Sequence, residues 1–140
     1  MKYFPALIAV AALAVAPAAH AVDPSKDYPI VTLLKGNKTI MGEDFSYPSG
    51  QANVTAAVLT LAPGSKTLTH THGVPLFIYV LEGEMEVDYG AKGKKIYKKG
   101  DSFMEAMSVA HFGMNNSKAP VKVLAVYLGA VGAKDMIPAK

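Results

Sequence analysis

The chain has 140 residues, 51% of them hydrophobic and 18% charged, with a formal net charge of +3, a size that suits one domain with one core. It has no cysteine, so no disulfide can brace it. Its 14 basic residues are all lysine, with no long basic stripe, and this gives no case for nucleic acid.

Lys2 precedes an apolar run from Tyr3 to Val15, followed by Pro17, Ala18, Ala19, His20 and Ala21. This pattern predicts a secretory signal peptide over 1–21, cleaved after Ala21. The run is too short to favour a membrane span. Cleavage would remove Lys2 and His20, lower the net charge from +3 to +2 and leave His70, His72 and His111. The expected location is periplasmic or secreted.

Residues 22–29 are polar, hold two prolines and read as an N-terminal arm. Short strands are expected at 30–34 and 39–41, split by a turn at 35–38, and 43–50 reads as a loop. A strand over 53–62 ends at the turn dipeptide Pro63-Gly64. Then comes Gly64-Ser65-Lys66-Thr67-Leu68-Thr69-His70-Thr71-His72. Side chains alternate along an extended strand, so His70 and His72 face the same way and can grip one ion from one side.

Further strands are expected at 76–81, 84–89, 94–98, 102–106, 109–112 and 121–128, each bounded by turn residues. Short strands at this spacing predict an all-β sandwich or barrel. Glu82, Glu84 and Glu86 alternate with smaller or apolar residues and share a solvent face. Five lysines within 92–99 read as a solvated hairpin whose charges discourage edge pairing. Asp101 follows a turn glycine and is expected to bond to backbone. Phe77, Tyr79, Met104, Phe112 and Met114 are expected in the barrel or a subunit contact. Residues 129–140 read as a tail, loosely ordered or capping one barrel end.

Two motifs now stand in register. Gly64, His70, His72 and Gly83 fit a glycine, His-x-His, Glu, glycine pattern whose Glu slot holds Leu76; Gly100, His111 and Asn115 fit a second pattern in which Ala106 and Ser108 replace Pro and Gly. The chain thereby resembles the cupin superfamily. The resemblance implies a double-stranded β-helix, or jelly-roll barrel, over 30–128 as a single domain, and a homodimer. It also implies one divalent transition metal (Fe, Mn, Ni, Cu or Zn) held by His70, His72 and His111. Such a tripod leaves positions open for water, O₂ or substrate.

With Leu76 in the Glu slot, the metal would keep its full double charge beside an apolar wall. The best candidate for a nearby acid is Glu105. It shares a strand face with Phe103, so Phe103 and Leu76 are expected to line the pocket if that face is inward. Glu105 could then serve as a fourth ligand or as a general base, its pKa raised by apolar walls and lowered by the metal. If the face is outward, Glu105 sits in water. The lack of Arg, the usual clamp for carboxylate and phosphate, argues against small di-acids and phosphosugars.

The expected function is therefore an exported metal-dependent enzyme, of dioxygenase or isomerase type, acting on a small organic molecule. The alternatives are a non-catalytic module that captures a metal or small ligand, and a metal-free barrel with relic histidines.

Overall fold

A computed structural model describes residues 28–139. The segment 1–21 read as a signal peptide lies outside the described residues, as do residues 22–27 of the arm. Residues 28–31 are exposed and form no strand. Thr32–Lys140 forms one compact unit. Among the described residues, no helix is long and apolar enough to cross a membrane.

Among the described residues there are nine strands, the longer ones rich in β-branched and aromatic residues. They are β1 (Ala52–Leu61), β2 (His70–Thr71), β3 (Leu76–Glu82), β4 (Glu84–Asp88), β5 (Lys94–Lys98), β6 (Ser102–Met104), β7 (Phe112–Met114), β8 (Val121–Ala130) and β9 (Ile137–Pro138). One antiparallel sheet runs β1-β8-β3-β6, and another runs β5-β4-β7. Single bridges, Lys66 to Met114 and His70 to His111, extend the second sheet to the stretch that contains β2, and β2 pairs with β9.

The chain crosses between the sheets at Gly83, with φ 80°. A Cβ there would press on the Pro120 carbonyl and the Val121 side chain at 3.0 Å, so both conformation and space select glycine.

Inward residues of both sheets share one core. Leu76, Ile78 and Val80 come from β3, Val121, Val123 and Ala125 from β8, and Met85 and Val87 from β4. The first sheet's register puts Leu59, Leu76, Tyr127 and Phe103 on the inner face, and Val54, Val58, Phe77 and Val126 on the outer. This is the all-β jelly roll that the strand spacing and motif resemblance predict.

Three local expectations change. Residues 30–34 and 39–41 are not strands. The Thr39 hydroxyl accepts the backbone N–H groups of Met41 at 3.3 Å and Glu43 at 3.2 Å, folding that stretch into a turn. The strand expected at 109–112 begins at Phe112 instead, and His111 makes only a single bridge. The stretch expected as a tail from 129 starts later, because Gly129 and Ala130 belong to β8, and within it β9 pairs with β2 beside His70. The lysine-rich stretch does form the outer strand of a hairpin. Lys94 pairs with Glu86 at 2.9 Å and Asp88 at 3.4 Å, and Lys98 pairs with Glu84 at 3.4 Å. Asp101 accepts the Lys98 N–H at 2.7 Å.

Candidate metal centre

His70 and His72 project from β2 and its end, and His111 comes from the residue just before β7. His70 and His111 exchange backbone hydrogen bonds at 2.9 and 3.0 Å, which brings residues distant in sequence side by side. The three rings are buried, with centroids 4.7 to 5.2 Å apart. One candidate ligand nitrogen from each lies within 4.8 Å of the others.

Each ring is oriented through Nδ1. His70 bonds to the Leu68 carbonyl at 2.6 Å, His111 to the Val109 carbonyl at 2.8 Å and His72 to the Asp135 carbonyl at 3.0 Å. A carbonyl only accepts, so each Nδ1 carries the proton and each Nε2 keeps its lone pair. The buried His72 Nε2 has no hydrogen-bond partner, a state that costs roughly 1–3 kcal/mol unless something occupies that side. Burial also pushes all three imidazoles below their usual range, His72 to about 4, so they are neutral and able to ligate at pH 7. Donor type, tautomer and the orphaned Nε2 fit a divalent transition metal, whose identity they leave open.

Glu105 faces inward and is 4% exposed. Its Oε1 accepts the Tyr89 hydroxyl at 2.8 Å and the Ala106 N–H at 2.7 Å. Its Oε2 lies 3.8 Å from His111 Nε2. Burial drives its pKa up to about 7, against the lowering effect of those two hydrogen bonds. Tyr97 lies 3.1 Å from the Tyr89 hydroxyl and, since Tyr89 donates to Glu105, is the donor in that contact. The Glu105 N–H donates to the Leu76 carbonyl at 2.8 Å, so the acid stands across the strand pair from the residue in the motif's Glu slot.

The three histidines, Glu105 and Leu76 line one cavity of about 60 Å³, room for a few water-sized groups. Leu59, Ile78, Val123 and Ala125 make much of its remaining wall apolar. Phe103 is a correction. It is buried on the same strand face as Glu105 but stacks on Tyr97 at 3.8 Å between ring centroids, and it does not line the cavity. Asn115 is fully buried away from the histidines. It donates to the Leu61 and Ala119 carbonyls at 2.9 and 2.8 Å, tying the end of β1 to the loop before β8.

Sequence reasoning missed three supports. Glu43, in a stretch read only as a loop, accepts the N–H groups of Met107 at 2.8 Å and Ser108 at 2.9 Å, and the Thr39 hydroxyl at 2.9 Å. Burial alone would raise the Glu43 pKa, but these bonds outweigh it and hold the carboxyl below its usual range. Glu43 thus braces the loop leading to His111, where Ala106 and Ser108 stand in place of Pro and Gly. Tyr89 and the Asp135 carbonyl are the other two. No local pattern marks Glu43 or Asp135; Tyr89 could have been suspected as an aromatic hydroxyl at the end of a buried strand.

The cupin-domain family profile matches residues 57–127, just over half of the chain. A germin-like protein (subfamily 2 member 2) of Arabidopsis thaliana is 35% identical over 80 residues, 54% of this chain and 36% of that protein. Nectarin-1 of Nicotiana plumbaginifolia is 29% identical over 90 residues, 61% of this chain and 39% of its own length. The match therefore spans well under half of these relatives. Among solved structures, a polyketide cyclase from Streptomyces resistomycificus has a similar fold, with TM-score 0.53 and 18% identity over 66% of this chain and 63% of that one. Lactobacillus farciminis oxalate decarboxylase gives 0.53 and 19% over 63% and 27%. With the motif register, the sheet topology and the family profile in agreement, the chain belongs to the cupin superfamily.

Proposed function

We propose that this cupin is an exported metal-dependent enzyme acting on a small, partly apolar organic molecule that binds through oxygen. His70, His72 and His111 hold one divalent ion. When bound, the ion supplies Lewis-acid polarisation and a template for substrate oxygen. Glu105 moves a proton at Oε2, while Tyr89 and the Ala106 N–H hold Oε1 and aim the free oxygen at the cavity. The observation that carries this reading is a buried carboxyl whose Oε1 is held by Tyr89 and the Ala106 N–H and whose Oε2 lies 3.8 Å from His111 Nε2, beside three ligand-ready imidazoles in one cavity. The small apolar cavity and the absence of Arg favour a compact enol, diol or ketone over a di-acid.

The test is metal analysis for Fe, Mn, Ni, Cu and Zn on protein purified from an export compartment. It is followed by O₂-uptake and product assays with enol and diol probes. One ion per chain is expected, with turnover that Glu105→Gln lowers by about 10²–10⁴-fold while metal is retained. Metal-loaded protein that binds the probes without converting them would point to a capture module instead.

The assembly is a homodimer formed through the outer face of the first sheet. Exposed Val54 and Val58 stand there beside half-buried Phe77, Val126 and Leu128. Light scattering should give twice the chain mass, and Val54→Lys with Val58→Lys should give a monomer. A wild-type monomer at high concentration would refute this.

A further inference from the structure

Of the three histidines, two are oriented by the carbonyl two residues earlier and one by a carbonyl 63 residues later. The remote carbonyl belongs to Asp135, within the stretch that follows β8. That stretch turns back at 131–133, where the Ala133 N–H donates to the Ala130 carbonyl at 2.9 Å. It then lies along the histidine strand, with Ile137 opposite Thr71, Pro138 opposite His70, and the Ala139 N–H donating to the Thr69 carbonyl at 3.0 Å.

Its anchorage is slight. From 131 to 139 only Asp135 is half-buried and none is fully buried; Met136 and Ile137 are 41% exposed, so apolar contact is partial and backbone hydrogen bonds supply much of the hold. Segments of this kind open at low free-energy cost. One glycine admits it. A Cβ on Gly73 would run into the Lys134 carbonyl oxygen and touch the Ile137 side chain at 3.5 Å, and Gly73 does not have the positive φ that would itself require glycine. The close approach of the strap therefore explains this glycine, where His72, Gly73 and Val74 lead into β3.

We propose that residues 131–139 form a strap that positions His72, and that strap docking and metal capture reinforce each other. The proposal rests on the metal reading above. With the strap down, the Asp135 carbonyl fixes the His72 proton on Nδ1 and turns Nε2 inward. With the strap lifted, the ring loses that partner and can rotate or change tautomer. A metal that needs Nε2 in place must then favour the docked strap, and linkage makes the effect reciprocal. The Asp135 main chain and Gly73 are positioning elements, and neither touches substrate.

The experiment measures Zn²⁺ affinity by chelator competition for the full chain, Gly73→Val, a chain ending at Ala133, and the combination of the last two. Partners of metal-ligating histidines are typically worth 10–100-fold in affinity. Gly73→Val and the shortened chain should each lose that much, and Gly73→Val should cost nothing further in the shortened chain. In the full chain, Zn²⁺ should slow hydrogen exchange at the Ala139 amide, a readout that needs no variant to fold. Full-length affinity in Gly73→Val, or an Ala139 exchange rate indifferent to Zn²⁺, overturns the strap while leaving the metal site standing. A full chain that does not bind Zn²⁺ overturns both.

Discussion

Two supports flank the same histidine cluster by different means. On one side Glu43 grips the 106–110 loop through hydrogen bonds to a carboxylate, from Met107 N–H, Ser108 N–H and the Thr39 hydroxyl. On the other, the 131–139 strap holds His72 with neutral backbone bonds along an exposed segment. Hydrogen bonds to a charged group are about twice as strong as neutral ones. The Glu43 flank is therefore set by folding, whereas the strap flank is soft enough for a ligand to shift its equilibrium. The His72 backbone bridges the two, its N–H donating to the Met107 carbonyl at 3.0 Å while its ring depends on Asp135.

The comparison breaks first at the ligands themselves. His70→Ala, His72→Ala and His111→Ala should each lower Zn²⁺ affinity by more than about 100-fold, beyond the 10–100-fold worth of a supporting partner. Chelator competition measures this, and a His72→Ala protein that retains full affinity would remove the soft flank from the site altogether.

Glu43→Ala comes next. Losing hydrogen bonds to a charged acceptor should lower global stability by about 2 kcal/mol in denaturant unfolding. It should also weaken Zn²⁺ binding, since the loop before His111 is released. The strap variants should weaken metal binding with much less change in metal-free stability. If Glu43→Ala and the shortened chain behave alike in both measurements, the two flanks do not differ as described.

The smallest effect is the pH profile of the metal-free protein. All three imidazoles have folded-state pKa values below the usual 6.5, His72 reaching about 4. The unfolded chain therefore binds more protons than the native one in that window, and stability is lost as pH falls from 6.5 toward 4. Glu105 acts oppositely. Its pKa is raised from 4.5 to about 7, so its contribution declines as pH rises through that interval. The His72 and Glu105 displacements are similar in size and opposite in sign, so the lowered His70 and His111 tip the balance, and unfolding midpoints in chelator should drop from pH 6.5 to pH 4.5. His72→Gln should flatten this limb more than His70→Gln, because His72 is displaced furthest.

Much of the fold and the core of the site could be read directly. Turn residues at short intervals marked β3 and β8 as strands, although their near-continuous apolar runs hid which side faces inward; the rule that side chains alternate along a strand did more around the site. The same rule put His70 and His72 on one side and made Phe103 and Glu105 share a face. The rule could not say how far each reaches. Phe103 is drawn onto Tyr97, one layer away from the histidines, while Glu105 alone enters the cavity.

The order of residues by itself determined an all-β chain, two cupin motifs in register and three histidines available to one ion, because spacing and side-chain type carry that information locally. The tertiary structure alone decided that Glu105 is buried against Tyr89, that Glu43 grips the Met107 and Ser108 N–H groups, and that the Asp135 carbonyl orients the third imidazole. A backbone carbonyl is the same at every residue, and a carboxylate acquires its role only from the N–H groups that folding brings to it. Nothing in the local sequence marked the Asp135 carbonyl or Glu43 in advance, whereas the strand face of Glu105 did mark it.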